Sequence, residues 1–336
     1  MTGVEAGWAA APCAPAMAAP LRMVDSWRTE RAGGTLEITA RTRVRSDDPV
    51  LRGIPHWPPV LPGIFVIEAL CQAMALAAPA GSCGTPVLQV VRSARYPAPM
   101  PAGEQMTLHI AASAVSDSRW DVTAEATRGD GTMTSRIRAC FGPARSPAPT
   151  TGMPEPAPHP DRAWTAAEIR AVLPKRHPLL MVDQVLALEP GRRIRAIKAI
   201  TSTEPCYAGV GDTAGDWCYA YPSSLAIGSF WQAAALVWMA GRRPGADGRF
   251  LMEVGIRNAV VEGTARPGDV LQHCARLDYD SADTFIASGE TWSAGRRIAT
   301  FGTLIGARRA VRTDPIRRVP PGRSHTVSRL ESVEGS

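Results

Sequence analysis

The feature that most constrains the fold of this 336-residue chain is that it is written twice. "PLRMVDSW" at 20–27 returns as "PLLMVDQV" at 178–185, and "TLEITARTRVRSDDPVLRGI" at 35–54 is answered by "RIRAIKAITSTEPCYAGV" at 193–210. "LPGIFVIEALCQA" at 61–73 parallels "YPSSLAIGSFWQA" at 221–233, and "RSARYPAPMPAGEQMTLHI" at 92–110 parallels "GIRNAVVEGTARPGDVLQH" at 255–273. The order of the pieces is kept and the offset stays near 160 residues, so the chain holds two homologous units. Length agrees, since roughly 150 residues make one ordinary domain. A Pro-rich stretch, "GPARSPAPTTGMPEPAPHPDRA", lies between the copies and has the composition of a linker. The expected division is a flexible leader over 1–17, units over 18–142 and 164–307, a linker over 143–163 and a basic disordered tail over 308–336.

Each copy follows one pattern: a strand or two, an irregular loop, one long apolar helix, then several strands. "LQVVRSARY", "QMTLHIAASAV", "RWDVTAEAT" and "TSRIRACFG" in the first copy have strand composition and partial alternation. "FLMEVGIRNAVV", "VLQHCARLDY", "TFIASGETW" and "RIATFGTLIGA" do the same in the second. The helices, expected over 63–78 and 223–240, are apolar on nearly every face, as a helix wrapped by a curved sheet must be. This is an α+β chain.

Composition excludes several functions. The formal charge of +6 is modest, and no basic run alternates with aromatics, so nucleic acid is not indicated. Lys175 and Lys198 are the only lysines, and "RRAVRTDPIRRVPPGRSH" holds much of the positive excess. That charge suits an acidic partner through long-range attraction, or is simply a basic tail on a neutral body. Seven cysteines without a CxxC pair argue against a disulfide framework or zinc knuckle and fit a reducing cytoplasm. No basic residue precedes the alanines of the first twenty positions, so a secretory signal is not expected. "SSLAIGSFWQAAALVWMAG" carries Ser229, Gln232 and glycines without close positive flanks, and reads as a buried helix rather than a span.

One residue breaks the apolar pattern of the first helix: Glu68, twelve positions after His56. An unpaired buried charge costs several kcal/mol, on the order of a domain's net stability, so the position demands an account. Its helical neighbours at three and four residues are Ile64, Phe65, Cys71 and Gln72. That largely apolar setting favours the protonated carboxyl. The bland alternative is a surface carboxylate at the helix start, complementing the dipole.

These motifs, in this order, resemble the hot-dog fold and within it the β-hydroxyacyl-ACP dehydratases of fatty-acid synthesis. The "IRAVLPKRHPLLMVDQVLALEPGRRIRAIKAITSTEP" stretch is similar to that family's opening helix and first hairpin. "PVLPGIFVIEALCQA" matches its Pro-x-x-Pro-Gly turn and the helix bearing an acid and, four residues on, a glutamine. The resemblance implies two tandem hot dogs, each a curved antiparallel sheet around a long helix. It places Glu68 on the family's acid and Gln72 on its glutamine, with the N–H groups of Gly63 and Ile64 as donors to the thioester carbonyl. It also implies an acyl carrier protein as partner, a homodimer or a second hot-dog subunit, and neither metal nor redox cofactor.

The family's catalytic histidine is displaced. Ungapped spacing lands on Ile54, whereas "HWP" at 56–58 imitates the family's His-Phe-Pro, making His56 the candidate base or an ordinary loop histidine. In the second copy Val210 stands at the histidine position and Gly228 at the acid position. Asp212 and Asp216 lie in the longer loop that follows, where aspartates usually form turns. If the copies pair, Glu68 faces Val210 and His56 faces Gly228. The resemblance leaves three activities open: dehydration, thioester hydrolysis by Glu68 alone, or completion of another dehydratase without catalysis. Asp25 and Asp183, in the repeated "MVD", are expected to anchor turns, Trp217, Tyr219 and Trp231 to line core or tunnel, and His109 and His273 to occupy equivalent strand positions.

Overall fold

A computed structural model describes residues 8–10, 21–32, 34–54, 59–77, 85–145, 152, 163–211, 213–242 and 249–310. In the first half, β1 (Ala9–Ala10), β2 (Ser26–Ala32) and β3 (Thr35–Arg43) lead through a short helix, α1 (Pro49–Arg52), to the long α2 (Gly63–Ala77). Then come β4 (Val87–Arg95), β5 (Gln105–Ser116), β6 (Arg119–Thr127) and β7 (Met133–Gly142). The second half repeats this with α3 (Ala166–Val172), β8 (Gln184–Glu189), β9 (Arg193–Ala199) and α4 (Ser223–Met239). It ends with β10 (Arg249–Val261), β11 (Val270–Asp280), β12 (Thr284–Ser293) and β13 (Arg296–Ala310).

All thirteen strands form one antiparallel sheet in the order β1-β2-β3-β5-β6-β7-β4-β10-β13-β12-β11-β9-β8. Read from its centre the order is the same in both directions, β4 answering to β10 and β7 to β13, except that the short β1 at one edge has no counterpart. The seam is the β4–β10 pair, with Arg95 opposite Gly255 and Val90 opposite Val260. Backbone hydrogen bonds of this ladder therefore join the two halves into one sheet. Ala9 and Ala10, inside the expected flexible leader, instead pair with β2, and Trp8 stacks under the Arg28 and Arg41 guanidinium groups. β13 runs to Ala310, past the expected start of the tail at 308.

The helices are where the sequence places them, and both are buried along almost their whole length. α2 packs on the first-half strands, α4 on the second, and the two helices pack on each other. Glu68, sixth in α2, meets Ser224, second in α4, while Gly228, sixth in α4, lies against Ile64, second in α2. The helices are thus related by a pseudo-two-fold axis through their contact.

Twin polar clamps seat each helix. Gln72 Nε2 donates to the Leu21 carbonyl at 2.7 Å and its Oε1 accepts from Met23 N–H at 2.9 Å. Gln232 does the same with Leu179 at 2.6 Å and Met181 at 2.9 Å. The repeated aspartates also act alike: Asp25 Oδ2 accepts from Arg43 N–H, and Asp183 Oδ2 from Ala199 N–H. The expected equivalence of the histidines fails. Ala40 pairs with Leu108 and Ala196 with His273, so His273 answers to Leu108, an inward position. His109 is one step along on the exposed face, because strand neighbours point to opposite sides.

Candidate active site

Antiparallel contact between the helices decides what surrounds Glu68. Its carboxyl lies beside the start of α4, not beside its own helix start, and is 6% exposed. Ser224 Oγ bonds Glu68 Oε2 at 2.6 Å, and Gln72 Nε2 donates to Oε1 at 2.8 Å. Burial raises the carboxyl above its ordinary range, and these two hydrogen bonds pull in the opposite direction without cancelling it. The result is a carboxyl that holds its proton more readily than a surface glutamate while keeping defined partners on both oxygens.

Glu68 opens onto a cavity of about 350 Å³ between the two halves. The first half contributes Cys71, Gln72 and Gln89, and the second contributes Tyr207, Tyr221 and the Pro222–Ser223 start of α4. A helix start presents N–H groups that lack intrahelical partners, at the positive end of the dipole. The thiols and phenols of its wall hold their protons tightly. Burial pushes the Cys206 thiol up to about 12 and raises Cys71, Tyr207 and Tyr221 well above their ordinary values. Tyr207 spends its hydroxyl on the Tyr219 carbonyl at 3.0 Å. Among the described residues lining the cavity, none is a histidine.

The residues picked out by sequence therefore separate. Glu68 and Gln72 share this cavity, but Gln72 is chiefly the clamp described above. Gly63 and Ile64 line or flank a different space, on the far side of the helix pair. His56 lies outside the described residues, as does Asp212. Asp216 is exposed in a single-turn helix (Asp216–Tyr219) and is not among the cavity-lining residues. Val210 packs against the core just past the turn that carries Tyr207. Trp231 is buried, and His273 is fully buried with Nδ1 on the Thr291 hydroxyl at 2.9 Å.

Sequence reasoning missed Ser224, the nearest partner of Glu68. A signal was present: "YPSSLAIGSFWQA" aligned on "LPGIFVIEALCQA" sets Ser224 opposite Ile64. A hydroxyl there and an isoleucine in its twin set the two related positions apart. It also gave no role to Glu253, which lies in the quoted "FLMEVGIRNAVV", or to Lys175, which lies in "IRAVLPKRHPLL".

The family model for the FabA-like domain matches residues 173–302, the half whose acid position is Gly228. The chain is 39% identical over 105 residues to the 3-hydroxyacyl-acyl-carrier-protein dehydratase FabZ of Nitrosospira multiformis, covering 31% of this chain and 69% of that protein. It is 38% identical over 113 residues to the FabZ of Paracidovorax citrulli, covering 33% and 74%. The chain belongs to the FabZ dehydratase family. It is by that membership an enzyme of the hydro-lyase class.

Solved structures extend the likeness, at the level of fold, over most of the chain. The dehydratase domain from the CurJ module of the curacin polyketide synthase superposes with a TM-score of 0.58 at 12% identity, covering 85% of this chain and 96% of its own. The dehydratase domain from the terminal module of the rifamycin polyketide synthase gives 0.54 at 14% identity, covering 86% and 97%. At that identity the agreement is one of fold. Among the described residues no cluster of His, Cys, Asp and Glu could hold a metal ion, and no helix is long and apolar enough to cross a membrane.

Proposed function

We propose that this FabZ-family chain is a tandem double hot dog that removes water from 3-hydroxyacyl thioesters tethered to an acyl carrier protein, in fatty-acid or polyketide assembly. The observation that carries the reading is the Glu68 carboxyl, buried at the junction of the halves beside a cavity and beside a helix start. The N–H groups at the start of α4 would receive the thioester oxygen, stabilising enolate charge as it develops. Glu68, as carboxylate, takes the α proton; the C–H electron pair forms the C=C bond as the C–O bond breaks. The newly protonated carboxyl then supplies its proton to the departing hydroxyl, and water leaves. One group can serve both transfers because burial raises its proton affinity toward the working range of a general acid–base catalyst.

Purified protein given a 3-hydroxyacyl carrier substrate should yield the trans-2-enoyl product, read by mass spectrometry as loss of one water. Glu68→Gln should remove that loss; a wild type that does not dehydrate, or a variant that still does, defeats the proposal. A second reading has one observation behind it: the buried Glu68 carboxylate beside the cavity could instead direct water at the thioester carbonyl. Release of free acid and carrier thiol, in place of enoyl product, would decide for that thioesterase reading.

A further inference from the structure

The pseudo-two-fold axis generates a second chamber, of about 180 Å³, at the start of α2. Gly63, Val66, Tyr96, Lys175, Trp231 and Glu253 are among its walls. It is the counterpart of the Glu68 cavity, yet it differs at every chemical position. The acid position is Gly228, where an added Cβ would come within 2.5 Å of Ile64 Cδ1 and 2.8 Å of Met181 Cε. Ile64 has filled the space that its twin, Ser224, leaves for a carboxyl.

The helix start is occupied as well. Ile64 N–H donates to Glu253 Oε2 at 3.1 Å, and Gly63 N–H bonds the same carboxylate. Glu253 comes from β10, in the other half of the chain, so this is a deliberate long-range contact and not a local cap. The Tyr96 hydroxyl and the Trp231 indole N–H, both buried in this wall, have no hydrogen-bond partner among the described residues. The Tyr96 ring also closes over Gly63, where any Cβ would meet it at 2.4 Å. A ligand carbonyl seeking the α2 amides would have to displace the Glu253 carboxyl, which burial pushes up to about 7 while Lys175 and the two amides favour its ionised form, in which its hydrogen bonds are strongest.

We propose that Glu253 is a built-in occupant of the second chamber: its carboxylate holds the α2 amides that a thioester oxygen would need, leaving one acyl site per chain, at Glu68. The acyl part of this statement rests on the function proposed above; the occupation of the amides does not. Hydrogen exchange resolved to Gly63 and Ile64 tests the occupation directly. Both amides should exchange at least about tenfold more slowly in the wild type than in Glu253→Ala, in line with the loss of one charge-assisted bond. Glu253→Gln, which keeps an acceptor oxygen and guards against misfolding of the alanine variant, should retain much of the protection. Equal rates in wild type and Glu253→Ala overturn the proposal. Calorimetric titration with a non-reactive pantetheine-linked 3-hydroxyacyl amide should give one equivalent per wild-type chain and two for Glu253→Ala. Two equivalents in the wild type also overturn it, whereas no binding together with protected amides counts against the dehydratase reading alone.

Discussion

Replacing Ser224 by alanine removes the shortest contact to Glu68 and nothing else of comparable size. The bond is 2.6 Å, fully buried, and made to a group that is charged when ionised. Such bonds contribute roughly 1.5–3 kcal/mol, which disfavours the carboxylate in the variant by roughly ten- to a hundredfold relative to the acid. The sign of the pH dependence follows. Burial already raises Glu68 above the ordinary carboxylate range, so the folded chain loses stability as pH climbs from that range toward the folded value. In Ser224→Ala the loss extends to higher pH and is larger. The stability deficit against wild type should therefore be small in acid, where Glu68 is protonated in both proteins, and reach its full size of about 1.5–3 kcal/mol above the folded value. Urea unfolding at both ends of the pH range measures it. The acid limb of the pH–rate profile for dehydration should move upward in the same variant, and Ser224→Thr should restore much of it. A deficit of equal size at both pH extremes would show that Ser224 acts by packing and would refute the reasoning.

Gln232→Ala orphans the Met181 N–H and the Leu179 carbonyl, about 1–3 kcal/mol for each group left unpaired, and should lower unfolding stability while leaving turnover largely intact. Gln72→Ala should lose similar stability and activity too, because it also strips one partner from Glu68; denaturation and product formation separate the two effects. His273 is held neutral down to about 3, chiefly by burial, so the folded state should lose several kcal/mol as pH falls from about 6.5 toward that value. His273→Leu, copying Leu108, should flatten this acid limb in thermal melts, and an unchanged limb would refute the assignment. Gly63→Ala, which drives a Cβ into the Tyr96 ring, should destabilise more than Gly228→Ala, which meets only the flexible ends of Ile64 and Met181.

The doubled plan was legible because repetition is a property of sequence order, and the strand and helix spans follow from hydrophobic spacing that each copy states independently. Glu68 stood out for a related reason: a carboxylate in an otherwise apolar helix is conspicuous on one line of text. The errors share a cause. His109 and His273 look equivalent because each lies at or beside the end of a parallel stretch of its copy, but the ladder register of β5 on β3 and of β11 on β9 puts them on opposite faces. A difference of one residue in where a strand enters its ladder reverses inside and outside.

What the chain order alone established is two like units, their helices, and one acid that has no counterpart at Gly228. Folding supplied the partners. The seam between β4 and β10 and the antiparallel meeting of α2 with α4 bring Ser224 to Glu68 across 156 residues and Glu253 to Ile64 across 189. Those contacts lie between halves, where residue spacing carries no information, because hydrogen bonds and burial depend on distance in space and not along the chain.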